Sequence, residues 1–171
     1  MKRTKVFLLA ASLVAGIAAT SLLRSTSAAA GPSASGHGTV LLQDTEGKTV
    51  RRQFSFSARI MPDGTVKGSG ILHNPSFDPK YSAQFDITCL QISGNRASFG
   101  GSIRKTTDSV FNDEFDAAFF TVFDNGEPGA GNDTISEVFF DNVVEPSACQ
   151  FIGADDFPQI PIEGGNVQVR P

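Results

Sequence analysis

The polar residues of one short segment have the types needed to bind a hard cation. In DNGEPGAGND, residues 124–133, five side chains carry oxygen atoms and three glycines lie between them: Asp124, Asn125, Glu127, Asn132 and Asp133. Calcium prefers oxygen ligands on flexible loops, and glycines let backbone carbonyls turn toward the ion. The segment is therefore a candidate calcium site, although its spacing differs from that of an EF-hand and favours turns. The alternative is a pair of turns, Asn-Gly and Pro-Gly, joining two strands.

Residues for acid–base or nucleophilic catalysis are few. The chain has two histidines, His37 and His73, and contains no G-x-S-x-G, H-E-x-x-H or phosphate-loop motif. Two carboxylates could act as the acid and base of a hydrolase, but 18 acidic residues offer many such pairs. The sequence therefore identifies no catalytic residue, and a carboxylate-based hydrolase is kept as a secondary hypothesis.

The N-terminal segment has the features of a secretory signal peptide. Three basic residues precede an apolar run at 6–23, and Ala28 and Ala30 form a small-residue cleavage site before Gly31. We expect cleavage of residues 1–30, which predicts a secreted protein, extracellular or periplasmic, without a membrane segment; an uncleaved anchor is the alternative. Residues 31–36, GPSASG, are expected to form a flexible leader, and residues 37–171 a single domain.

The expected mature chain is acidic. Four of the 14 basic residues and none of the 18 acidic ones lie in residues 1–30, which leaves ten basic against 18 acidic residues and a net charge of −8. A chain with this charge and no basic cluster is not expected to bind nucleic acid or an anionic membrane surface.

The two cysteines, Cys89 and Cys149, predict one disulfide. An exported protein meets an oxidising compartment, and the cysteine count is even. A structural zinc site is less favoured, because it needs four ligands and the chain has only two cysteines and two histidines.

Alternating apolar and polar residues predict β-strands along most of the chain. In TVRRQFSFSARI, residues 49–60, the even positions are apolar and the odd ones polar, with Arg52 as the exception. Similar segments, separated by turns such as MPDGT and SGNR, give seven or eight strands and an all-β fold. Gly68 and Gly70 on one strand, and the pair at 100–101, favour bends. We therefore predict a small antiparallel barrel-like domain, with a β-sandwich as the alternative.

Phenylalanine dominates the apolar residues. The chain has 15 Phe, one Tyr and no Trp, which is typical of core packing rather than of a carbohydrate-binding platform. The segments AAFFTVFDNG and DTISEVFF are apolar on both strand faces. Such strands are either covered on both sides, or they expose a Phe-rich face that contacts a protein partner.

Five segments together resemble a known kind of domain. They are FSFSAR followed by DGTVKG, then LQISGNRASFGG, VFDNGEPGAGNDTI and PIEGGNVQV. In this order they resemble a recurrent small secreted β-domain of bacteria, found alone or as a C-terminal module of surface proteins. The resemblance covers about Gly36 to Arg170. It implies a barrel-like module of the extracellular space, with no catalytic residues to carry over.

The leading functional hypothesis is a non-catalytic structural or interaction module of the extracellular space. The alternative is a lipocalin-like binder of a small apolar ligand, since inward-facing Gly68, Gly70 and Gly101 would leave room inside a barrel. The inward phenylalanines would equally fill that room.

Overall fold

The computed structural model describes residues 31–44, 46–77, 80–107, 115–126, 132–142 and 144–171. The predicted signal peptide and Glu127 lie outside the described residues. The elements within them are β1 (Ser33–Gln43), β2 (Thr49–Ile60), β3 (Val66–Asn74), β4 (Tyr81–Ser93), β5 (Arg96–Thr106), β6 (Ala117–Phe123), β7 (Thr134–Ser136), β8 (Phe139–Asp141), the 3₁₀ helix (Pro146–Phe151), β9 (Gln159–Pro161) and β10 (Gly164–Arg170).

The described strands form one curled antiparallel sheet. Their order is β10-β1-β2-β3-β4-β5-β6-β7-β9, and β8 pairs with β6 beside β7. Register shifts between β4 and β5, near Phe85 and Ile87, add curvature to the sheet. The predicted all-β, barrel-like class is confirmed. The expected number of seven or eight strands is too low, because β7, β8 and β9 have three residues each and are too short to show alternation.

The flexible leader expected at residues 31–36 is wrong for Ser33 to Gly36. These residues pair with β10 on one side and with β2 on the other, and Ala34 is 2% exposed. Small residues are needed here because a Cβ atom on Gly36 would lie 2.8 Å from the Phe56 ring. A composition typical of a linker therefore serves close packing.

Phenylalanine rings fill the interior of the sheet. The rings of Phe99 and Phe120 stack with centroids 4.4 Å apart, and Phe56 contacts both edge-on. A Cβ atom on Gly70 would lie 2.3 Å from the Phe85 ring, so this glycine makes room for the ring. Gly68 and Gly101 are likewise approached by protein, namely by the Ala58 Cβ atom and by the Asp86 backbone. The space that a lipocalin-like ligand would need above these glycines is occupied by the chain itself.

Strand β6 is covered on both faces, which is the first of the two explanations for its apolar pattern. Phe120 and Val122 belong to the main core, whereas Ala117 and Phe119 pack in a second cluster with Cys149. The 3₁₀ helix that carries Cys149 reaches the backbone of β5, since a Cβ atom on Gly100 would lie 2.0 Å from a carbonyl of this helix.

The predicted disulfide is confirmed. Cys89 on β4 and Cys149 on the 3₁₀ helix are bonded, with their Cα atoms 6.0 Å apart and a sequence separation of 60. The bond holds the helix against the outer face of the sheet. Among the residues described, none belongs to a helix of the length and apolar character needed to cross a membrane.

Candidate functional site

The two ends of the curled sheet meet where β9 leads into β10. Strand β9 pairs with β7 and β10 pairs with β1, so the short link between them crosses from one end of the sheet to the other. The Ile162 N–H donates to the Asp133 carbonyl, and the Glu163 N–H donates to the Thr39 carbonyl. We call this junction the seam of the barrel.

Beyond the link, two carboxylates close the seam. The Val167 N–H donates to Asp133 Oδ2 at 2.8 Å, and the Val169 N–H donates to Asp124 Oδ2 at 2.9 Å. Alternate N–H groups of a strand point to the same side, so both donors lie on one edge of β10. The carboxylates thus take the place that the backbone carbonyls of a neighbouring strand would have.

The remaining oxygens of these carboxylates bind the loop itself. Asp133 Oδ1 accepts the Asn125 N–H at 2.9 Å, and Asp124 Oδ1 accepts the Gly126 N–H at 3.3 Å. The Asn125 side-chain amide donates to the Asn132 carbonyl at 2.8 Å. Four of the five predicted cation ligands therefore lie together, and Glu127 falls outside the described residues. Within the described ranges, no three His, Cys, Asp or Glu side chains are grouped closely enough to hold a metal ion.

Calcium is expected to leave the thermal stability unchanged. All four carboxylate oxygens of Asp124 and Asp133 already accept backbone N–H groups, and a ligand that binds only the folded state would raise the melting temperature. Melts of residues 31–171 in EDTA and in millimolar calcium should overlap. A calcium-dependent rise of several degrees would instead establish the cation site.

A second notable region is an exposed apolar surface around the 3₁₀ helix. Phe151 is 79% exposed, Val144 41% and Phe139 39%. The Phe139 ring stacks on Phe157 with centroids 4.1 Å apart. A shallow cavity of about 260 Å³ lies between Phe139, Val144, Ala148 and Phe157. Residues three apart eclipse in a 3₁₀ helix, so Phe151 lies on the same side of the helix as Ala148. We call Phe139, Val144, Ala148, Phe151 and Phe157 the aromatic surface.

The irregular segment that carries this surface is fixed to the sheet. The Arg96 guanidinium on β5 donates to the carbonyls of Ile152 and Gly153 and to the Ser98 hydroxyl. The Gly153 N–H in turn donates to Asp156 Oδ2 at 2.6 Å. Together with the disulfide, these contacts hold the segment on both sides of Phe151. Sequence reasoning gave Arg96 no such role, because its acceptors are backbone carbonyls more than 50 residues away.

The aromatic surface lies in the acidic half of the chain. Residues 106–169 contain no Lys or Arg and hold 13 of the 18 acidic residues. Asp141 lines the cavity beside Phe139, Glu145 precedes the 3₁₀ helix, and Asp155 and Asp156 precede Phe157. Asp141 in the cavity lining and Glu145 next to Val144 in the chain therefore give the apolar surface an acidic border.

The histidines and the one carboxylate with a shifted pKa give no sign of a catalytic site among the described residues. His37 and His73 lie on β1 and β3 with exposed side chains, instead of in a cleft. The hydrogen bonds from the Thr65 hydroxyl and the Thr65 N–H lower the pKa of Asp63, whose carboxylate is fully exposed. This direction is opposite to that of a carboxylic acid tuned to donate a proton.

The chain was compared with known families and proteins. No family, no curated protein and no solved structure matches it. The resemblance to a recurrent secreted bacterial β-domain therefore stays a prediction.

Proposed function

We propose that this protein is a secreted, non-catalytic interaction module that binds a partner protein through the aromatic surface. The observation that carries the proposal is Phe151, an aromatic side chain that is 79% exposed on a helix held by a disulfide. Large exposed aromatic side chains on a fixed backbone are typical of binding surfaces, because little conformational freedom is lost when they are buried.

The surface also contains a cavity that could accept a side chain of a partner. Its shallow cavity is lined mainly by apolar side chains, and the stacked rings of Phe139 and Phe157 contribute to the lining. Binding energy at protein interfaces concentrates in a few aromatic anchors and in the pockets that they fill. We infer that an apolar side chain of the partner occupies this cavity while Phe151 packs beside it.

The acidic border specifies the chemistry of the partner. Asp141 and Glu145 flank the apolar residues, and this half of the chain holds no basic residue. A partner surface with Lys or Arg around an apolar centre is therefore favoured over an acidic one, and association should slow as salt is added. Export of the chain by its signal peptide would place this encounter outside the cytoplasm.

Site-specific photocrosslinking tests the proposal directly. A photoreactive phenylalanine analogue at position 151 should give a discrete adduct with one protein in the producing cells, and the same analogue at Ile71 should not. Ile71 is the matched control, because it is 39% exposed on β3, away from the aromatic surface.

The purified partner then gives a quantitative test. Phe151→Ala should weaken its binding at least about tenfold, as truncation of an interface anchor does, whereas Ile71→Ala should leave binding unchanged. The free energy of unfolding of both variants should lie within about 0.5 kcal/mol of that of the unchanged protein, because both side chains are exposed. Equal adducts at both positions, or none at position 151, would contradict the proposal.

A further inference from the structure

We propose that a cavity at one end of the barrel, over Arg52, binds the carboxylate of a small molecule. Arg52 is the residue that interrupts the apolar face of β2, between Val50 and Phe54. The structure leaves Arg52 on that face, where it is 8% exposed. A cationic side chain on this apolar face of β2 requires polar or anionic partners, and the neighbouring residues on the same face are apolar. This site is separate from the aromatic surface, and the inference does not depend on the proposed protein partner.

The described groups that directly contact the guanidinium are uncharged. Its Nε–H donates to Asn74 Oδ1 at 2.8 Å, a terminal N–H donates to the Tyr81 hydroxyl at 3.2 Å, and the Phe77 ring lies 5.5 Å away. In the described parts of the chain, the ion pair that the structure shows is between Arg104 and Asp86, on the exposed face. Among the described residues, no carboxylate is paired with the buried Arg52, and a buried cation is unfavourable unless an opposite charge is supplied.

Asn74, which contacts the Arg52 guanidinium, contributes a buried donor beside it. Its carbonyl oxygen accepts from Arg52, which directs its amide nitrogen elsewhere. That nitrogen is buried and makes no hydrogen bond to any residue that the structure describes. Buried polar groups are nearly always hydrogen-bonded in folded proteins. The region around Arg52 therefore has more hydrogen-bond donors than acceptors, as expected for a site that takes an anionic oxygen.

An open cavity lies against Arg52. It measures about 510 Å³, and its lining includes Leu42, Arg52 and Phe77, which is within the size range of small-molecule sites. Leu42 is 7% exposed, and Phe77 is half-buried. The floor thus combines one buried cation with an aliphatic and an aromatic side chain. This combination fits a carboxylate joined to an apolar body.

Charged residues at the rim narrow the choice of ligand. The lining also includes Asp44, Glu46, Glu137 and Lys48. Asp44 Oδ1 accepts the N–H groups of Glu46 and Lys48, while the side chains of Glu46, Lys48 and Glu137 are exposed. Exposed charges are screened at physiological salt, whereas a buried charge is screened much less. One carboxylate at Arg52 is therefore favoured, and a polyanion such as a nucleotide is disfavoured by the acidic excess at the rim.

Titrations followed by amide NMR test the site with defined probes. Acetate, phenylacetate and octanoate are added to the ¹⁵N-labelled domain in 150 mM salt, and phenylacetamide serves as the uncharged match to phenylacetate. We expect saturable shifts at Leu42, Arg52 and Phe77 with phenylacetate or octanoate, and binding at least about tenfold weaker for phenylacetamide, because the hydrogen bonds to an ionised group are lost. Acetate should bind more weakly than both, since it lacks the apolar body.

Two variants separate Arg52 from general charge effects. Arg52→Gln should abolish the saturable shifts, whereas Arg104→Gln, which removes an exposed guanidinium, should leave them unchanged. If Arg52→Gln does not fold, Phe77→Leu replaces it, with an expected several-fold loss of phenylacetate affinity while Arg52 is kept.

Three results would overturn the inference. The first is the absence of saturable shifts with all three carboxylates, and the second is equal binding of phenylacetate and phenylacetamide. The third is carboxylate binding that appears only in the Asp78→Asn variant. This result would show that the Asp78 carboxylate is the counter-ion of Arg52 in the unchanged protein.

Discussion

Asp133→Ala is expected to destabilise the protein by about 3 kcal/mol, because hydrogen bonds to a charged group are worth about 1.5–3 kcal/mol and unmade buried ones are costly. The carboxylate accepts the N–H groups of Val167 and Asn125, and it is 7% exposed. Water has little access to the Val167 N–H, because Val167 is 0% exposed, whereas the Asn125 N–H belongs to an exposed residue and can be hydrated. The change should appear as a lower urea midpoint with an unchanged slope.

Two further variants show whether the effect belongs to the seam. Asp133→Asn keeps one acceptor oxygen and places an amide against the other N–H group, so its loss should be intermediate. Asp86→Ala removes an exposed carboxylate whose ion pair with Arg104, at 2.9 Å, lies on the surface. Exposed pairs contribute about 0–1 kcal/mol, so this control should change little.

Hydrogen exchange gives a residue-specific readout of the same prediction. In the unchanged protein the Val167 and Val169 amides should both be protected, although β10 has a strand partner on one side only. Asp133→Ala should speed exchange at Val167 more than at Val169, whose acceptor is Asp124. Equal exchange at both amides in the variant, or a loss below 1 kcal/mol, would show that the carboxylate does not close the seam.

The strands could be predicted where they are long and half-buried. In β2 the buried and exposed residues alternate over the first eleven of its 12 positions, because one face packs on phenylalanine rings and the other meets solvent. Strands β7 to β9 could not be found in this way. They pair over two or three residues each, so their existence depends on neighbours that are distant in sequence.

The grouping of the polar residues at 124–133 could be predicted from the sequence, but their role in binding the N–H groups of β10 could not. Asp124 and Asp133 do share a loop, as expected for cation ligands. The sequence contains no sign that their acceptors are needed by Val167 and Val169, since those N–H groups are exposed to this loop only by the curl of the sheet. Arg52 shows the same limit: its interruption of the apolar pattern is visible in the sequence, but the cavity beside it is built from two strands and three loops.

Removal of the disulfide is expected to cost about 4 kcal/mol, as the chain-entropy model gives for a closed loop of about 60 residues. Cys89→Ala/Cys149→Ala is the suitable variant, because Cys149 is fully buried beside Ala117 and Phe119 and alanine keeps that position apolar. Reduction of the unchanged protein should give the same loss, and a reductant should have no effect on the double variant. A urea midpoint that does not fall in either case would contradict this prediction.

The disulfide also connects stability with the proposed function. The bond holds the 3₁₀ helix over the outer face of β6, and the helix presents Phe151 beside the cavity. Without the bond, the Arg96 contacts to Ile152 and Gly153 still hold the C-terminal side of the helix, so the opening should be local before it is global. Limited proteolysis should then cleave between residues 145 and 151 in the double variant under conditions where β1 to β5 stay protected. Partner binding should weaken in the same variant while the carboxylate titration at Arg52 is unchanged, because that cavity includes no residue of the helix.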